Sequence, residues 1–573
     1  MSTINWSTQY INLLHGNFKV FNFRFENIFT MNKIKLTFLA AVLIINVLIS
    51  VAQPFTKTDY QHGKLNPMRT CFDVNRYEIT LKVNPTQKYI SGSNQISFTV
   101  LKNTNKIQLD LFASIQIDSI LYLNKSIPFV RVSNAFFISF NKKIKKGSKN
   151  SLTVFFSGKP LEAQKAPWDG GFVWSKDTSG NSFVGLACEG IGASCWLPCK
   201  DHLSDEAESM LMHLQVPSNL MGVSNGKLVG SLQLDNGYTQ HDWAVSYPIN
   251  NYNITVNIAD YAHIHDEYKS SIYGFLNLDY YVLKSAEKIA RQHFVQVKTM
   301  MNCFEKYFGP YPFWNDGYKL VETPYWGMEH QSCVAYGNNY QNNKYGFDFI
   351  IVHESGHEWF GNSLSMNDPA EMWIHESFTT YSESLFQECL QGKERAYRYL
   401  LEQKKNIKNQ QPIIGYYEVY YHGRKDNDIY YKGAWMLQTM RYLLDNDSLW
   451  FNTLYDFATS FKRQNVSNKQ VMDFFSKRTR HNWTAFFEQY LFKAQIPVLE
   501  YSLKEVDGRL ELKYRLVANV KGLEMPVKVN INKDALEDIF ANSSWQIIDL
   551  SYFNKSDFKM DVGRVLVQLK ELK

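Results

Sequence analysis

The sequence lacks the features that mark several large classes of protein. It contains no internal repeat, no low-complexity segment and no run of like charges, and its net charge is only +6 over 573 residues. A small excess of lysines spread along the chain does not indicate a nucleic-acid-binding protein. With 45% hydrophobic and 20% charged residues, the chain has the composition of a globular protein, and its length predicts several domains.

Cysteine is also scarce, with seven residues in the whole chain. Because the number is odd, at least one thiol is free or pairs with another chain. The nearest group, Cys188, Cys195 and Cys199, lacks the C-x-x-C spacing of a metal site. We expect these three to be small buried hydrophobic residues with at most one disulfide, and the spacing favours no particular pairing.

No apolar stretch has both the length and the flanking residues of a stable transmembrane span. The stretch Leu36–Ile49 follows Lys33 and Lys35 and precedes the small-x-small sequence Ser50-Val51-Ala52. This order of charged, apolar and small residues is typical of a signal peptide. We therefore predict a signal peptide over residues 31–52 and an exported protein, either periplasmic or secreted.

The same pattern predicts where the natural chain starts. Met31 is the expected initiator, and residues 1–30 are expected to be a non-native or unstructured leader. The mature chain would begin near Gln53 with no stable membrane anchor. The alternative is that the apolar stretch is retained as an anchor.

The next region has the period of β-strands. Between about Cys71 and Tyr261, apolar and polar residues alternate in short runs separated by turn signals such as Asn225-Gly226. We predict an N-terminal antiparallel β domain over residues 53–265. Its strands are expected at Arg76–Val83, Asn94–Val100, Lys106–Leu111, Ser151–Phe156 and Asn253–Ile258.

After Asp266 the apolar residues recur with a helical period, and near Ile496 the alternation of apolar and polar residues returns. We predict a mainly helical domain over residues 266–495 and a small C-terminal β domain over residues 496–573, which makes the fold a multidomain α+β protein. The expected helices are Tyr281–Phe308, Tyr430–Leu444 and Ser467–Arg478. The expected C-terminal strands include Arg509–Leu516 and Val562–Leu569.

A metal motif lies within the helical domain. His353, Glu354 and His357 form H-E-x-x-H, in which the two histidines lie four residues apart and so on one face of a helix. Glu354 is placed to act as a general base on water. The alternative is a surface helix with two solvated histidines. The apolar residues Phe349–Val352 before the motif favour a buried helix, where unpaired histidines would be costly.

The third ligand is predicted on a second helix. Asp368 fits an N-cap, Pro369 the first helical position and Glu371 a capping box. Glu376 follows His357 by 19 positions on that helix, and we assign it as the third ligand. Two histidines and one carboxylate leave one tetrahedral position open, as a catalytic zinc site requires, so we predict one Zn²⁺ per chain.

These motifs, with three others, resemble those of the aminopeptidase N family of zinc metallopeptidases, which includes the leukotriene hydrolase branch. The sequence Trp326–His330 is similar to the family's G-x-M-E-N motif, Tyr430–Ala434 to its Y-x-K-G-A motif, and Phe308–Pro312 to a segment that precedes the catalytic motifs. The resemblance spans most of the mature chain. It implies a thermolysin-like catalytic domain and an enzyme that removes N-terminal residues from peptides.

The resemblance also implies roles for individual residues. Glu329 and Glu189 would bind the protonated α-amino group of a peptide, and backbone groups around Gly327 would bind its main chain as a short edge strand. Tyr430 would stabilise the oxyanion opposite the zinc, and Glu354 would carry the proton from water to the leaving amine. The expected partners are peptides with a free N-terminus. For Glu189, the alternative is a loop carboxylate paired with a lysine.

Two positions depart from the family motif. Trp326 stands where the family has its first glycine, and His330 stands where it has asparagine. Trp326 is expected to narrow or floor the pocket for the N-terminal side chain. His330 is expected either to change the orientation of Glu329 or to be a neutral replacement, and not to be a fourth ligand.

Three other functions compete with the aminopeptidase. A zinc endopeptidase would use the same H-E-x-x-H and glutamate, but the two anionic anchors argue against it. An epoxide hydrolase like that of the leukotriene branch has no specific support in the sequence. A non-catalytic binding protein on this fold is disfavoured because all the expected catalytic residues are present.

Overall fold

The computed structural model describes residues 55–420, 423–507, 509–532, 535–550 and 555–573. The predicted leader and signal peptide lie outside these residues. Lys57–Lys573 form one compact unit. Within the described part of the chain, no helix is long and apolar enough to cross a membrane.

The first part of this unit is built from strands, as the alternation predicts. Two short helices precede them, α1 (Lys57–Gly63) and α2 (Pro67–Thr70). The strands are β1 (Phe72–Asn84), β2 (Tyr89–Val100), β3 (Thr104–Asp110), β4 (Ile115–Tyr122), β5 (Lys125–Ser126), β6 (Phe129–Val132), β7 (Ala135–Ile144), β8 (Lys149–Gly158), β9 (Gly171–Lys176), β10 (Ser182–Ala187), β11 (Glu206–Ala207), β12 (Ser209–Pro217), β13 (Met221–Val223), β14 (Lys227–Gln233), β15 (Tyr238–Val245), β16 (Ile249–Asn250) and β17 (Asn257–Ala259).

Eight of these strands form one sheet, in the order β14-β15-β12-β1-β2-β8-β4-β5. In β1, Tyr77, Ile79 and Leu81 point into the core and alternate with more exposed residues. The sheet is antiparallel except for β1 and β12, which pair in parallel. Smaller sheets, β13-β17-β10-β9 and β3-β7-β6, pack beside it. The strand expected at Asn253–Ile258 is mostly wrong, because a 3₁₀ turn covers Asn251–Asn253 and only Asn257 and Ile258 of that range belong to a strand, β17.

The central region contains both a sheet and helices. Its strands are β18 (Tyr261–Ser270), β19 (Gly274–Leu283), β20 (Tyr318–Glu322), β21 (Gly327–Met328), β22 (Val334–Tyr336), β23 (Leu364–Met366) and β24 (Gln464–Val466). Its helices are α3 (Glu287–His293), α4 (Gln296–Phe308), α5 (Phe349–Gly356), α6 (Trp373–Gln391), α7 (Lys393–Lys404), α8 (Tyr431–Leu444), α9 (Asp447–Ser460), α10 (Asn468–Thr479) and α11 (Thr484–Phe492). A five-stranded sheet, β18-β19-β20-β22-β21, ends at β21, so β21 is an edge strand.

The single helix predicted over Tyr281–Phe308 is wrong. Residues up to Leu283 complete β19, a 3₁₀ turn follows, and the helical part is divided into α3 and α4 at Phe294 and Val295. Its end is as predicted, because Gly309 adopts φ +86° at the C-cap of α4. The predicted boundary at residue 265 falls within β18, which pairs with β19 of the central sheet.

The spacing of the cysteines predicts no particular pairing, and the structure forms its disulfide outside the group Cys188, Cys195 and Cys199. Cys303 on α4 forms a disulfide with Cys389 on α6. Cys188, Cys195 and Cys199 are buried free thiols, in agreement with their expected role as small hydrophobic residues. The disulfide therefore links two helices of the central region and leaves the N-terminal domain without one in the described residues.

The C-terminal residues form a small β domain, as predicted. Its strands are β25 (Val498–Val506), β26 (Arg509–Val517), β27 (Met525–Asn532), β28 (Ala535–Ala541), β29 (Gln546–Asp549), β30 (Met560–Asp561) and β31 (Gln568–Glu571). They form the sheets β29-β26-β25-β31 and β28-β27-β30. The strand expected at Val562–Leu569 is largely wrong, because only its last two residues belong to β31. Leu566 instead contacts the helices, accepting a hydrogen bond from Tyr490 on α11.

Candidate active site

The motif helix α5 is buried rather than exposed on the surface. Asp348 caps its N-terminus, because its side chain accepts hydrogen bonds from the backbone N–H groups of Ile350 and Ile351. Those two residues and Val352 are fully buried. The helix therefore places His353 and His357 inside the protein, and the alternative of a solvated surface helix does not hold.

The helix that carries Glu376 starts later than predicted. Asp368 does act as an N-cap, but it caps the 3₁₀ turn Pro369–Glu371, and α6 itself begins at Trp373. The capping box expected at Glu371 is wrong. The Glu371 carboxylate instead accepts hydrogen bonds from the Asn468 backbone and the Tyr417 hydroxyl.

Three predicted ligands meet at one point. The Nε2 atoms of His353 and His357 lie 3.6 and 3.4 Å from Oε2 of Glu376. That oxygen is buried and has no hydrogen-bond partner in the described structure. Two nitrogens and one oxygen that converge in this way form one of two clusters of described residues that could hold a metal ion.

The other ring nitrogen of each histidine is already bound. Nδ1 of His353 lies 2.7 Å from Oε1 of Glu383, and Nδ1 of His357 lies 2.9 Å from the carbonyl oxygen of Phe360. Since both partners are acceptors, each Nδ1 donates a hydrogen bond and each Nε2 faces Glu376, where a metal ion would displace any proton on Nε2. The donor set of two neutral imidazoles and one carboxylate fits a catalytic zinc ion.

Glu383 was not identified from the sequence, although a signal for it exists. It lies seven residues after Glu376, which is two turns of α6 and therefore the same helix face. Its Oε2 also accepts hydrogen bonds from Tyr399, and from Gln403 at 2.9 Å. Glu383 is thus a fixed acceptor that orients the His353 ring.

Glu354 points into the same space from α5. One of its carboxylate oxygens lies within 4.8 Å of ligand atoms of Glu329 and His357. Burial raises the pKa of Glu354 to about 7; the nearby histidines oppose this shift and the Glu329 and Glu376 carboxylates add to it. A carboxyl group with a pKa near neutrality is suited to accept and return a proton.

Glu329 and Glu189 form a pair of carboxyl groups with few partners. Glu329 is buried and accepts a hydrogen bond of 3.1 Å from the Tyr252 hydroxyl. Oε1 of Glu189 is buried and has no hydrogen-bond partner among the residues that the structure describes. Burial raises the pKa of each, and at Glu189 the charge of Glu329 adds to the effect. The lysine partner considered as an alternative for Glu189 is absent from the described residues.

Gly327 lets the edge strand β21 approach the motif helix. A Cβ at this position would lie 2.8 Å from Oε1 of Glu354 and 2.8 Å from the Ile350 side chain. Any other residue would therefore displace Glu354. One edge of β21 pairs with β22 through Gly327 and Tyr336. The opposite edge, which we call the outer edge, pairs with no strand of this sheet and faces the cleft.

Tyr430, the residue before α8, also reaches the ligands. Its hydroxyl donates a hydrogen bond of 3.1 Å to Oε1 of Glu376, and its ring centroid lies 6.1 Å from that of His353. Burial, and then the charge of Glu376, raises the pKa of Tyr430 well above its usual value. The hydroxyl therefore stays protonated and remains a hydrogen-bond donor.

The two departures from the family motif have different surroundings. Trp326 is 44% exposed in the cleft and stacks on Phe349. His330 is completely buried, and neither of its ring nitrogens has a partner among the described residues. All of the predicted site residues except His330 line a single cleft of about 880 Å³.

Comparisons with known proteins identify the family to which two regions of the chain are similar. Residues 73–252 match the family model described as the peptidase M1 N-terminal domain, and residues 294–490 match the peptidase family M1 domain. The chain is 21% identical over 422 residues to a leucyl aminopeptidase of Saccharolobus solfataricus, covering 68% of this chain and 51% of that protein. It is 24% identical over 255 residues to aminopeptidase B of Mus musculus, covering 40% of this chain and 37% of that protein. The chain thus spans about half the length of the first of these relatives.

Solved structures show the same fold. A crystal structure of an M1 zinc metallopeptidase from Deinococcus radiodurans superimposes with a TM-score of 0.63 at 18% identity, covering 74% of this chain and 94% of the other. The two family models lie in the predicted N-terminal β domain and the predicted helical domain. The fold class expected from the sequence is confirmed.

Proposed function

Because the chain belongs to peptidase family M1, we propose that it is a zinc-dependent aminopeptidase, which removes N-terminal residues from peptides. The observation that carries the proposal is the position of Glu189 and Glu329. These two carboxyl groups line the same cleft as the His353, His357 and Glu376 ligands, and neither forms an ion pair with a lysine or arginine within the described chain. A buried carboxylate without a counter-charge is costly, and a protonated peptide N-terminus supplies that charge.

His353, His357 and Glu376 would hold the zinc ion. Bound there, Zn²⁺ supplies Lewis-acid polarisation of the first peptide carbonyl and lowers the pKa of the attacking water. Glu383 and the Phe360 carbonyl keep both histidines in the tautomer that can bind a metal.

The protein's own groups perform the remaining steps. Glu354 accepts the proton of the attacking water and then delivers it to the leaving amine, which its pKa of about 7 permits near neutral pH. The Tyr430 hydroxyl donates a hydrogen bond to the developing oxyanion. The outer edge of β21 pairs with the substrate main chain and sets its distance from Glu354.

The same carboxyl groups disfavour the two alternative enzymes. An endopeptidase must pass an extended chain through this region, where a neutral amide would leave Glu189 and Glu329 without a counter-charge. An epoxide hydrolase has no need of two anionic groups at this point. The geometry therefore supports recognition of a free N-terminus.

We infer further that the enzyme is exported and acts in the periplasm or outside the cell. The signal-peptide pattern at residues 31–52 supports this location. The disulfide between Cys303 and Cys389 also supports it, because structural disulfides persist mainly in oxidising compartments. N-terminal sequencing should show that the exported protein begins near Gln53. A chain that starts before Met31 would contradict the signal-peptide assignment.

The activity is tested by comparing a free peptide with its N-acetylated form. The free peptide should be cleaved, the blocked one should not, and a chelator should abolish turnover. Equal cleavage of both peptides would overturn the aminopeptidase assignment. The Glu354→Gln variant should retain zinc by elemental analysis and lose nearly all turnover, and full activity in that variant would refute the general-base role.

A further inference from the structure

Three aromatic side chains form a continuous surface in the cleft. The ring of Trp326 stacks on Phe349 at 5.5 Å and 23°, and Phe349 stacks on His353 at 5.2 Å and 22°. The ring centroid of Trp168, from the N-terminal domain, lies 6.4 Å from that of Trp326. We call Trp168, Trp326 and Phe349 the aromatic shelf. All three line the cleft that contains the metal ligands.

The two tryptophans of the shelf are exposed, although Trp326 is fixed in place. Trp168 is 69% and Trp326 44% exposed. The Trp326 indole N–H donates to Oδ1 of Asn338 at 3.0 Å, and the Asn338 amide donates to Asp348, the N-cap of α5, at 2.9 Å. A tryptophan that is held by stacking and by a hydrogen bond, yet open to the cleft, is suited to contact a ligand at low entropic cost.

The position of the shelf along the substrate follows from the edge strand. Glu329 lies just after β21 and, under the proposed function, holds the peptide N-terminus. Trp326 lies just before β21, three residues away. A peptide that starts at Glu329 and runs along β21 advances by about 3.3 Å per residue. Its second and third residues, on the leaving-group side of the cleaved bond, therefore pass the shelf.

We propose that the aromatic shelf selects peptides with an aromatic or large aliphatic side chain at the second or third residue. This proposal rests on the proposed aminopeptidase function and specifies its substrate class. Stacking on Trp326 and contact with Trp168 would stabilise such a side chain, whereas alanine or glycine would leave both indoles in water.

The test compares Leu-Phe-Ala with Leu-Ala-Ala as substrates. The wild-type protein should show a kcat/KM at least about tenfold higher for Leu-Phe-Ala, the size of effect that one apolar pocket contact supplies. Trp326→Ala should reduce the ratio of kcat/KM for Leu-Phe-Ala to that for Leu-Ala-Ala about fivefold or more, and Trp168→Ala should also reduce it. Trp168 is mostly exposed, so its variant tests the shelf even if Trp326→Ala fails to fold.

The matched control is Trp545→Ala. Trp545 is 38% exposed in the C-terminal domain, beside Lys513 and Arg515, and does not line the cleft. Its variant should keep the wild-type ratio. An unchanged ratio in both shelf variants would overturn the proposal. The proposal would also be overturned if the shelf variants changed only the ratio of kcat/KM for Phe-Ala-Ala to that for Ala-Ala-Ala, because the shelf would then contact the N-terminal residue. Failure of the wild-type protein to cleave any of these peptides would contradict the aminopeptidase function itself.

Discussion

Oε1 of Glu383 lies 2.7 Å from Nδ1 of His353, inside the protein and away from the side of the ring that faces Glu376. Glu383 is held in turn by hydrogen bonds from Tyr399 and Gln403. The carboxylate therefore fixes both the tautomer and the orientation of the ring that we propose as a metal ligand.

Replacing this carboxylate should weaken zinc binding. Glu383→Ala is expected to lower zinc affinity about 10–100-fold, because His353 loses its orienting acceptor. Titration against a competing chelator measures the effect. Glu402→Ala is the control, since Glu402 is an exposed glutamate paired with Lys344 and its loss changes the net charge equally. Equal zinc affinity in the two variants would show that Glu383 has no role at the metal.

Removing the Tyr430 hydroxyl should affect turnover far more than binding. Tyr430→Phe is expected to lower kcat about 10²–10³-fold, the usual cost of one oxyanion donor, with little change in KM or zinc content. The neighbouring Tyr431→Phe supplies the comparison, because it removes the same group at the next position. A larger loss of kcat in Tyr431→Phe would move the oxyanion role to that residue.

Much of this site could be predicted from the sequence because its spacing is local. His353 and Glu354 lie on α5 and His357 at its C-cap, all within five residues, and the structure brings Glu376 to them as its place on the next helix predicts. The contact of Glu329 with Tyr252 could not be predicted, because 77 residues separate them and no local pattern records the pairing.

The errors in the fold have the same origin. Residues 281–283 have a helical period, yet they pair as the end of β19, since long-range sheet hydrogen bonds override local preference. The parallel pairing of β1 with β12 likewise depends on strands far apart in the chain. The turn and cap residues were more reliable, as at Gly309, where only the local backbone matters.

His330 should make the protein sensitive to acid. Burial lowers the pKa of His330 to about 3, whereas an unfolded histidine has a pKa of about 6.5. Between these values the unfolded state binds the proton and the folded state does not. Folding stability therefore falls as the pH drops below 6.5, by up to about 1.4 kcal/mol per pH unit from this residue.

His330→Asn removes that penalty. The thermal midpoint of the variant relative to wild type should rise as the pH is lowered from 7.5 to 5, and scanning calorimetry measures it. At pH 7.5 the histidine is neutral in both the folded and the unfolded state. The difference in thermal midpoint at this pH therefore measures the loss of packing alone. A difference in midpoint that is the same at both pH values would mean that His330 does not stay neutral in the folded protein.

The helix α1 should support the substrate anchor through Tyr420. The His62 ring stacks on the Tyr420 ring at 3.9 Å and 11°, and the Tyr420 hydroxyl donates to the backbone oxygen of Glu189 at 2.9 Å. Burial favours the neutral form of Asp201, but its ion pair with His62 and the hydrogen bond from the Ser194 backbone N–H hold the pKa of Asp201 at about 2. His62 is therefore fixed both by the Asp201 carboxylate and by stacking on the Tyr420 ring, whose hydroxyl holds Glu189.

Loss of His62 should loosen Glu189 without disturbing the metal ligands. His62→Ala is expected to raise KM for free peptides several-fold, to change kcat less, and to leave the zinc content unchanged, because under the proposed function Glu189 binds the ammonium group of the peptide and not the metal. His213→Ala is the control, since His213 pairs with Asp242 on the eight-stranded sheet. A rise in KM in both variants would indicate general destabilisation, and no rise in His62→Ala would show that α1 does not position the anchor.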